Sequence, residues 1–117
     1  GVDQPIALVE APKTAVVCSA YFPQFIWLAV GALSYLGAGR LAPLRHRRVV
    51  LFPDLSPDGS AFRRWSQTAQ QLQVEGYSIT VSDYLETRAG AQERQAGLDL
   101  ADYLLGQWRG YPPDWDL

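Results

Sequence analysis

The chain opens on a short apolar run, Ile6-Ala7-Leu8-Val9, that stops at Glu10. A run with no polar position is the pattern of a buried parallel strand, covered on both faces. Pro12 follows, where the first turn of a helix tolerates proline because that N–H would be unpaired anyway. Helix is expected from Lys13 to Ala20, stopping near Pro23. Phe25 to Val30 is a second apolar run, closed by Gly31. A short helix is expected around Leu33 to Leu36, broken by Gly37 and Gly39, then a turn or short helix over Leu41 to His46. Val49 to Phe52, closed by Pro53, is the clearest strand. Pro57-Asp58-Gly59 is a turn signal. From Ser60 to Glu75, Phe62, Trp65, Ala69 and Leu72 recur at three- and four-residue spacing. That predicts a helix with one buried stripe, stopped by Gly76. Tyr77 to Val81 alternates as a fourth strand. The polar stretch Thr87 to Ala96 is expected to be a loop. A final helix is expected over Leu98 to Trp108, with Leu100, Tyr103, Leu104 and Trp108 in register.

Strands alternating with helices in this order predict an α/β fold. About four parallel strands form one sheet, joined by right-handed crossovers, with helices on both faces. At 117 residues the chain holds one domain and is too short for two. The domain is expected over residues 1–108, with 109–117 as a tail or linker marked by Tyr111-Pro112-Pro113. A start at Gly1 and the absence of methionine suggest a domain cut from a longer protein.

Charge and cysteine narrow the picture further. A formal net charge of −2 is not that of a basic nucleic-acid clamp. The single cysteine, Cys18, can make no internal disulfide. It falls in an apolar helical stretch and reads as a buried structural thiol. A cytoplasmic setting follows. The longest apolar stretch, Tyr21 to Leu36, is interrupted by Pro23, Gln24, Gly31 and Ser34, so no membrane span is expected. His46 is the only histidine, which excludes histidine-based triads and the usual His/Cys zinc sites within this chain. Neither common glycine-rich phosphate loop is present.

The candidate chemistry lies in the acids. Glu10 and Asp54 each end an apolar strand and each precede a helix. In a parallel sheet both strand ends open on the edge where such folds bind ligands. Two acids side by side repel unless a cation sits between them, and an all-oxygen donor set points to Mg²⁺ or Mn²⁺. Taken singly, each acid has a plainer role. Glu10 suits the start of a helix, Asp58 suits a turn before Gly59, and Asp99 suits an N-cap. Asp102 lies three residues beyond Asp99 on the same helical face and is harder to explain as a cap. Lys13 lies one turn into the first helix, able to balance acids or hold a phosphate. Arg63 and Arg64 follow the Asp54 loop and can reach phosphates there. Arg40, Arg45, His46, Arg47 and Arg48 precede the third strand and are expected as a solvated turn on the opposite edge.

Val9-Glu10-Ala11-Pro12-Lys13-Thr14-Ala15 resembles the first motif of the Toprim fold, a Rossmann-like parallel sheet. Phe52-Pro53-Asp54-Leu55-Ser56-Pro57-Asp58-Gly59 is similar to its second motif, a strand ending in Asp-x-Asp. Ala29-Val30-Gly31-Ala32 looks like the family's small-residue turn. Gly97-Leu98-Asp99-Leu100-Ala101-Asp102 looks like the acidic segment after the last strand in primase-type members. The resemblance covers roughly residues 5 to 106 and is nearest to primase-like Toprim proteins of mobile elements. It implies Mg²⁺-dependent phosphoryl or nucleotidyl transfer on DNA or RNA, in a DNA-replication or mobile-element protein of a kind that often carries an upstream zinc-binding module. Under it Glu10 handles proton transfer, and Glu10, Asp54 and Asp58 hold the metal. Asp99 or Asp102 supports a second ion or water, and Lys13 contacts a phosphate. The second acid of Asp-x-Asp falls on Ser56, where the pattern departs. An alternative is therefore a non-catalytic nucleic-acid-binding or protein-interaction domain that keeps the fold. A response-regulator-type domain would place its phosphoacceptor at Asp54, but no strand with a following lysine comes after Val81.

Overall fold

The structure is a computed structural model that describes residues 4–30 and 42–106. The expected helix at Leu33–Leu36, Gly31 and Ala32 of the small-residue turn, Trp108 and the 109–117 tail lie outside the described residues. The elements run β1 (Ile6–Val9), α1 (Pro12–Tyr21), β2 (Ile26–Ala29), a 3₁₀ turn (Ala42–Leu44), β3 (Arg48–Leu51), α2 (Ser60–Val74), β4 (Ser78–Val81), α3 (Tyr84–Arg88), α4 (Ala91–Ala96) and α5 (Leu100–Gly106).

The four strands form one sheet in the order β2-β1-β3-β4. Every pairing is parallel, with Leu8 opposite Leu28 on one side and Leu51 on the other. The central position of β1 explains its lack of polar residues. All four of its side chains are buried, as a strand between two helical layers requires. β3 and β4 alternate instead: Val49, Leu51 and Ile79 are buried, while Arg48, Ser78 and Thr80 are exposed.

Connections set the faces. β1-α1-β2 steps to one side of β1, and β3-α2-β4 steps to the other side of β3. Right-handed crossovers in opposite directions place their helices on opposite faces. The packing agrees. Trp65, Ala69 and Leu72 of α2 pack with Ile6, Leu8, Val49, Leu51, Tyr77 and Ile79. Cys18 of α1 packs instead with Leu100, Ala101 and Leu104 of α5, and with Trp27 and Phe52. α1 buries only Thr14, Ala15 and Cys18, three small side chains that let it lie close to the sheet.

The expected α/β sheet with helices on both faces is what the structure shows. Thr87–Ala96 is a correction, because most of it is helical. α3 and α4 occupy this stretch, although α4 buries no residue and α3 buries only Leu85. Local bonds hold them in place of an apolar stripe. Glu93 Oε1 accepts the Gly90 N–H at 2.8 Å. Arg94 pairs with Glu86 Oε2 at 2.8 Å and also donates to the Glu86 carbonyl. No helix is long and apolar enough to cross a membrane among the described residues.

Candidate functional site

β1 and β3 are neighbours whose following helices leave to opposite faces. Diverging connections of this kind open a crevice beyond the carboxyl ends of the two strands. Glu10 is the first residue past β1, and Asp54 the third past β3. The Phe52 N–H donates to the Leu8 carbonyl at 2.9 Å, which keeps the two segments together past the end of β3. Pro53 is buried. The carboxyl groups of Glu10 and Asp54 lie close enough for Glu10 to raise Asp54.

A third segment completes the crevice. The Leu55 N–H donates to the Leu98 carbonyl at 2.8 Å, tying the Asp54 loop to the start of α5. Gly97 turns the chain there in the left-handed region, at φ 65°. Asp99 Oδ1 accepts the Asp102 N–H at 2.8 Å, and Asp102 Oδ2 accepts the Asp99 N–H at 3.3 Å. The two acids thus form a reciprocal cap, the pattern in which a side chain at each end of the first turn satisfies the other's backbone donor. Asp102, which spacing alone leaves without a capping role, is half of that cap.

α1 reaches across to the same acids. Thr14 Oγ1 donates to Asp99 Oδ2 at 2.9 Å. Lys13 Nζ lies 3.3 Å from Asp102 Oδ1 and 3.8 Å from Asp99 Oδ2. Lys13 is 61 % exposed, so water screens these pairs. Thr14 is absent from the site expected from sequence. Its only signal there is its place beside Lys13 in the turn that follows Glu10.

The electrostatics follow from this crowding. Burial pushes Asp54 up to about 7, helped by the charges of Glu10 and Asp99, the hydrogen bond with Glu10 and the charge of Asp102. Lys13 is held above its ordinary value by its hydrogen bond to Asp102 and the charge of Asp99. Cys18 is pushed up to about 12, mainly by burial and further by Asp99, which makes it an unreactive thiol.

Glu10, Asp54, Asp99, Asp102 and Lys13 therefore gather in one place, and Asp58 does not join them. Asp58 Oδ1 accepts the Ser60 N–H at 3.0 Å, and hydrogen bonds from Ser60 hold its carboxyl below the usual range. Ser56 Oγ accepts the Ala61 N–H at 3.0 Å. Both side chains serve the start of α2. Arg63 Nη1 donates to the Asp58 carbonyl at 2.8 Å, and Arg63 and Arg64 are both exposed in the first turns of α2. Of the basic cluster, Arg40 lies outside the described residues, and Arg45 to Arg48 lie on the opposite edge. Arg45 donates to the Glu75 carbonyl and lies over the Tyr77 ring, and Arg47 donates to the Gln4 carbonyl. These residues lie at the start of β3, opposite the acids.

The donor set fits a hard divalent cation. It is all carboxylate oxygen, partly buried, and carries more negative charge than Lys13 offsets. Among the described residues no three acids form a ready-made metal cage. Mg²⁺ does not require one, because it commonly binds through one or two carboxylates and keeps its waters.

Residues 2–55 match a family described as a domain of unknown function (DUF6371). The matched stretch contains β1, α1, β2 and β3 and ends one residue past Asp54. It includes both strand-end carboxylates and stops short of α5. No curated protein and no solved structure matches the chain.

Proposed function

We propose that the chain is a Toprim-like domain of a primase-like replication or mobile-element protein, acting on DNA or RNA with Mg²⁺ or Mn²⁺. One observation carries this reading. The two strand-end carboxylates meet where the crossovers diverge, and a cation is the natural partner of such a pair. When bound, the ion supplies charge stabilisation for a transferring phosphate and orients the attacking oxygen. Glu10 and Asp54 hold it, and Asp99 and Asp102 stand beside them to support a second ion or a water. Burial, with the charge of Glu10 beside it, raises Asp54 to about 7, so without a cation it is only partly ionised near neutral pH. Glu10 is assigned the proton transfer. Lys13, open to solvent at the mouth, offers its ammonium to a phosphate, and exposed Arg63 and Arg64 extend that contact. A net charge of −2 suits a domain whose main nucleic-acid grip is supplied by another part of its polypeptide, an upstream zinc-binding module being one candidate. A cytoplasmic location suits a buried, unpaired Cys18.

Ser56 favours a second reading. It stands at the expected second acid and caps α2 instead, which suits a domain that keeps the fold and binds without catalysing. Calorimetric titration with Mn²⁺ tests the shared premise. Binding is expected, and Glu10→Gln and Asp54→Asn are each expected to weaken it at least tenfold. Binding unchanged in both variants contradicts the site. Primer-synthesis and nuclease assays on the longer polypeptide then separate catalyst from binding module.

A further inference from the structure

We propose that the bare part of the sheet face shared with α1, a trough between Phe25 and strands β3 and β4, takes an unpaired stretch of single-stranded nucleic acid. Phe25 stacks a base, Arg48 holds a phosphate, and the Ser78 and Thr80 hydroxyls meet base edges. The trough lies toward the opposite edge of the sheet from the acids. It shares a class of partner with the reading above but none of its residues, so it stands if the cation site fails.

Parallel sheets are normally covered on both faces. Here α2 covers one face of β3 and β4 through Trp65, Ala69 and Leu72. On the other face α1 and α5 pack together over Trp27 and Phe52 and leave β3 and β4 bare toward the basic edge. Arg48 pairs in register with Ser78, and Val50 with Thr80. Strand alternation puts these four side chains on the bare face, where Arg48, Ser78 and Thr80 are exposed. With Phe25 they line a trough of about 330 Å³, the size of a small ligand site. Three of the four strand positions are polar, which does not suit a helix or a second copy of the chain as the missing cover.

The lining sets what binds. No acid lines the trough. Among the described residues, Arg48, Ser78 and Thr80 give no side-chain hydrogen bond or ion pair to the protein. Arg45, exposed at the same edge, donates to the Glu75 carbonyl and lies over the Tyr77 ring, and neither contact neutralises its charge. The complement of such an edge is an anion, and the planar guanidinium fork of Arg48 matches phosphate oxygens. Phe25 is half-buried and fixed by edge contacts with Trp27 and Phe52, with ring centroids 5.6 and 5.7 Å away. A fixed ring beside a free cation suits unpaired nucleotides, because every base has a π-face to stack. Hydroxyls both donate and accept, so Ser78 and Thr80 suit base edges of either kind. An acidic peptide would engage Arg48 but brings no base to Phe25.

Titration with a short oligothymidylate in metal-free buffer tests the proposal, with amide shift perturbation for location and fluorescence anisotropy at several salt concentrations for affinity. Shifts are expected at Phe25, Arg48 to Val50 and Ser78 to Thr80. Arg48→Ala is expected to weaken binding and to lower the slope of log affinity against log salt by about 0.7, the loss of one phosphate contact on a single strand. Phe25→Leu keeps apolar bulk and is expected to weaken binding about fivefold or more at unchanged slope. If Phe25→Leu does not fold, Ser78→Glu, at an exposed strand position, is expected to abolish binding. Wild-type affinity in Arg48→Ala or in the second variant overturns the trough, as does a wild-type chain that shows no response. Shifts confined to Lys13, Arg63 and Arg64 move the contact to the acidic edge and overturn it too. An oligoglutamate of equal charge that binds the trough as tightly assigns it to acidic peptide and overturns the choice of nucleic acid. None of these outcomes depends on Mn²⁺ uptake by the acids, so the two readings fail separately.

Discussion

At Asp54, burial and the charge of Glu10 act in the same direction. The carboxyl rises from 3.8 to about 7 on folding. Between those values the folded chain holds a proton that the unfolded chain has released. Stability from this group is therefore greatest below about pH 4 and falls as pH rises toward 7. Asp54→Asn removes the charge that neutral and alkaline pH would force into the crevice. In metal-free buffer at pH 8 it is expected to stabilise the chain by on the order of 1–2 kcal/mol, allowing for partial solvent screening. At pH 4 the gain should vanish. Urea unfolding at the two pH values measures this, and an Asp54→Asn chain less stable than wild type at pH 8 would contradict it. Glu10 and Asp54 follow the ends of β1 and β3, a position legible in the sequence because a strand's end fixes where the next side chains emerge. The sequence did not separate Asp58 from the crevice or show Asp102 as a cap. Spacing does not reveal whether a carboxylate turns toward a backbone N–H or toward a neighbouring acid.

The elements with one apolar stripe were legible. Trp65, Ala69 and Leu72 lie on the buried face of α2, and Gly76 adopts the positive φ of 99° that a helix stop favours. α3 and α4 were not legible, because they are polar and depend on the Arg94–Glu86 pair and the Glu93 cap. Nothing in their periodicity reports such contacts. Ser56 belongs to this scale as well. Its hydroxyl accepts the Ala61 N–H at the start of α2, a capping role with a typical cost of about 0.5–2 kcal/mol on replacement by alanine. Ser56→Ala is expected to lower the unfolding free energy obtained from chemical denaturation by that amount and leave Mn²⁺ affinity unchanged. A loss of Mn²⁺ affinity in a stably folded Ser56→Ala chain would place Ser56 in the site and remove its purely structural explanation.

Across the whole molecule, the strand order β2-β1-β3-β4 turns two local motifs into one crevice. Alternation of strands and helices predicts a parallel sheet, but only the order of strands makes β1 and β3 neighbours with helices departing to opposite faces. The third part of the crevice depends on longer-range bonds, Leu55 to Leu98 and Thr14 to Asp99. Those bonds join segments far apart in sequence, which is why Thr14 could not be singled out from the sequence. The central claim is that this crevice, and not the basic edge across the sheet, takes a divalent cation. Paramagnetic broadening of backbone amide signals by substoichiometric Mn²⁺ tests it most directly. Signals of Glu10 to Thr14, Asp54 to Leu55 and Leu98 to Asp102 are expected to broaden first, while those of Arg45 to Arg48 and Ser78 persist. Broadening that is uniform, or that begins at Arg45 to Arg48, would contradict the account.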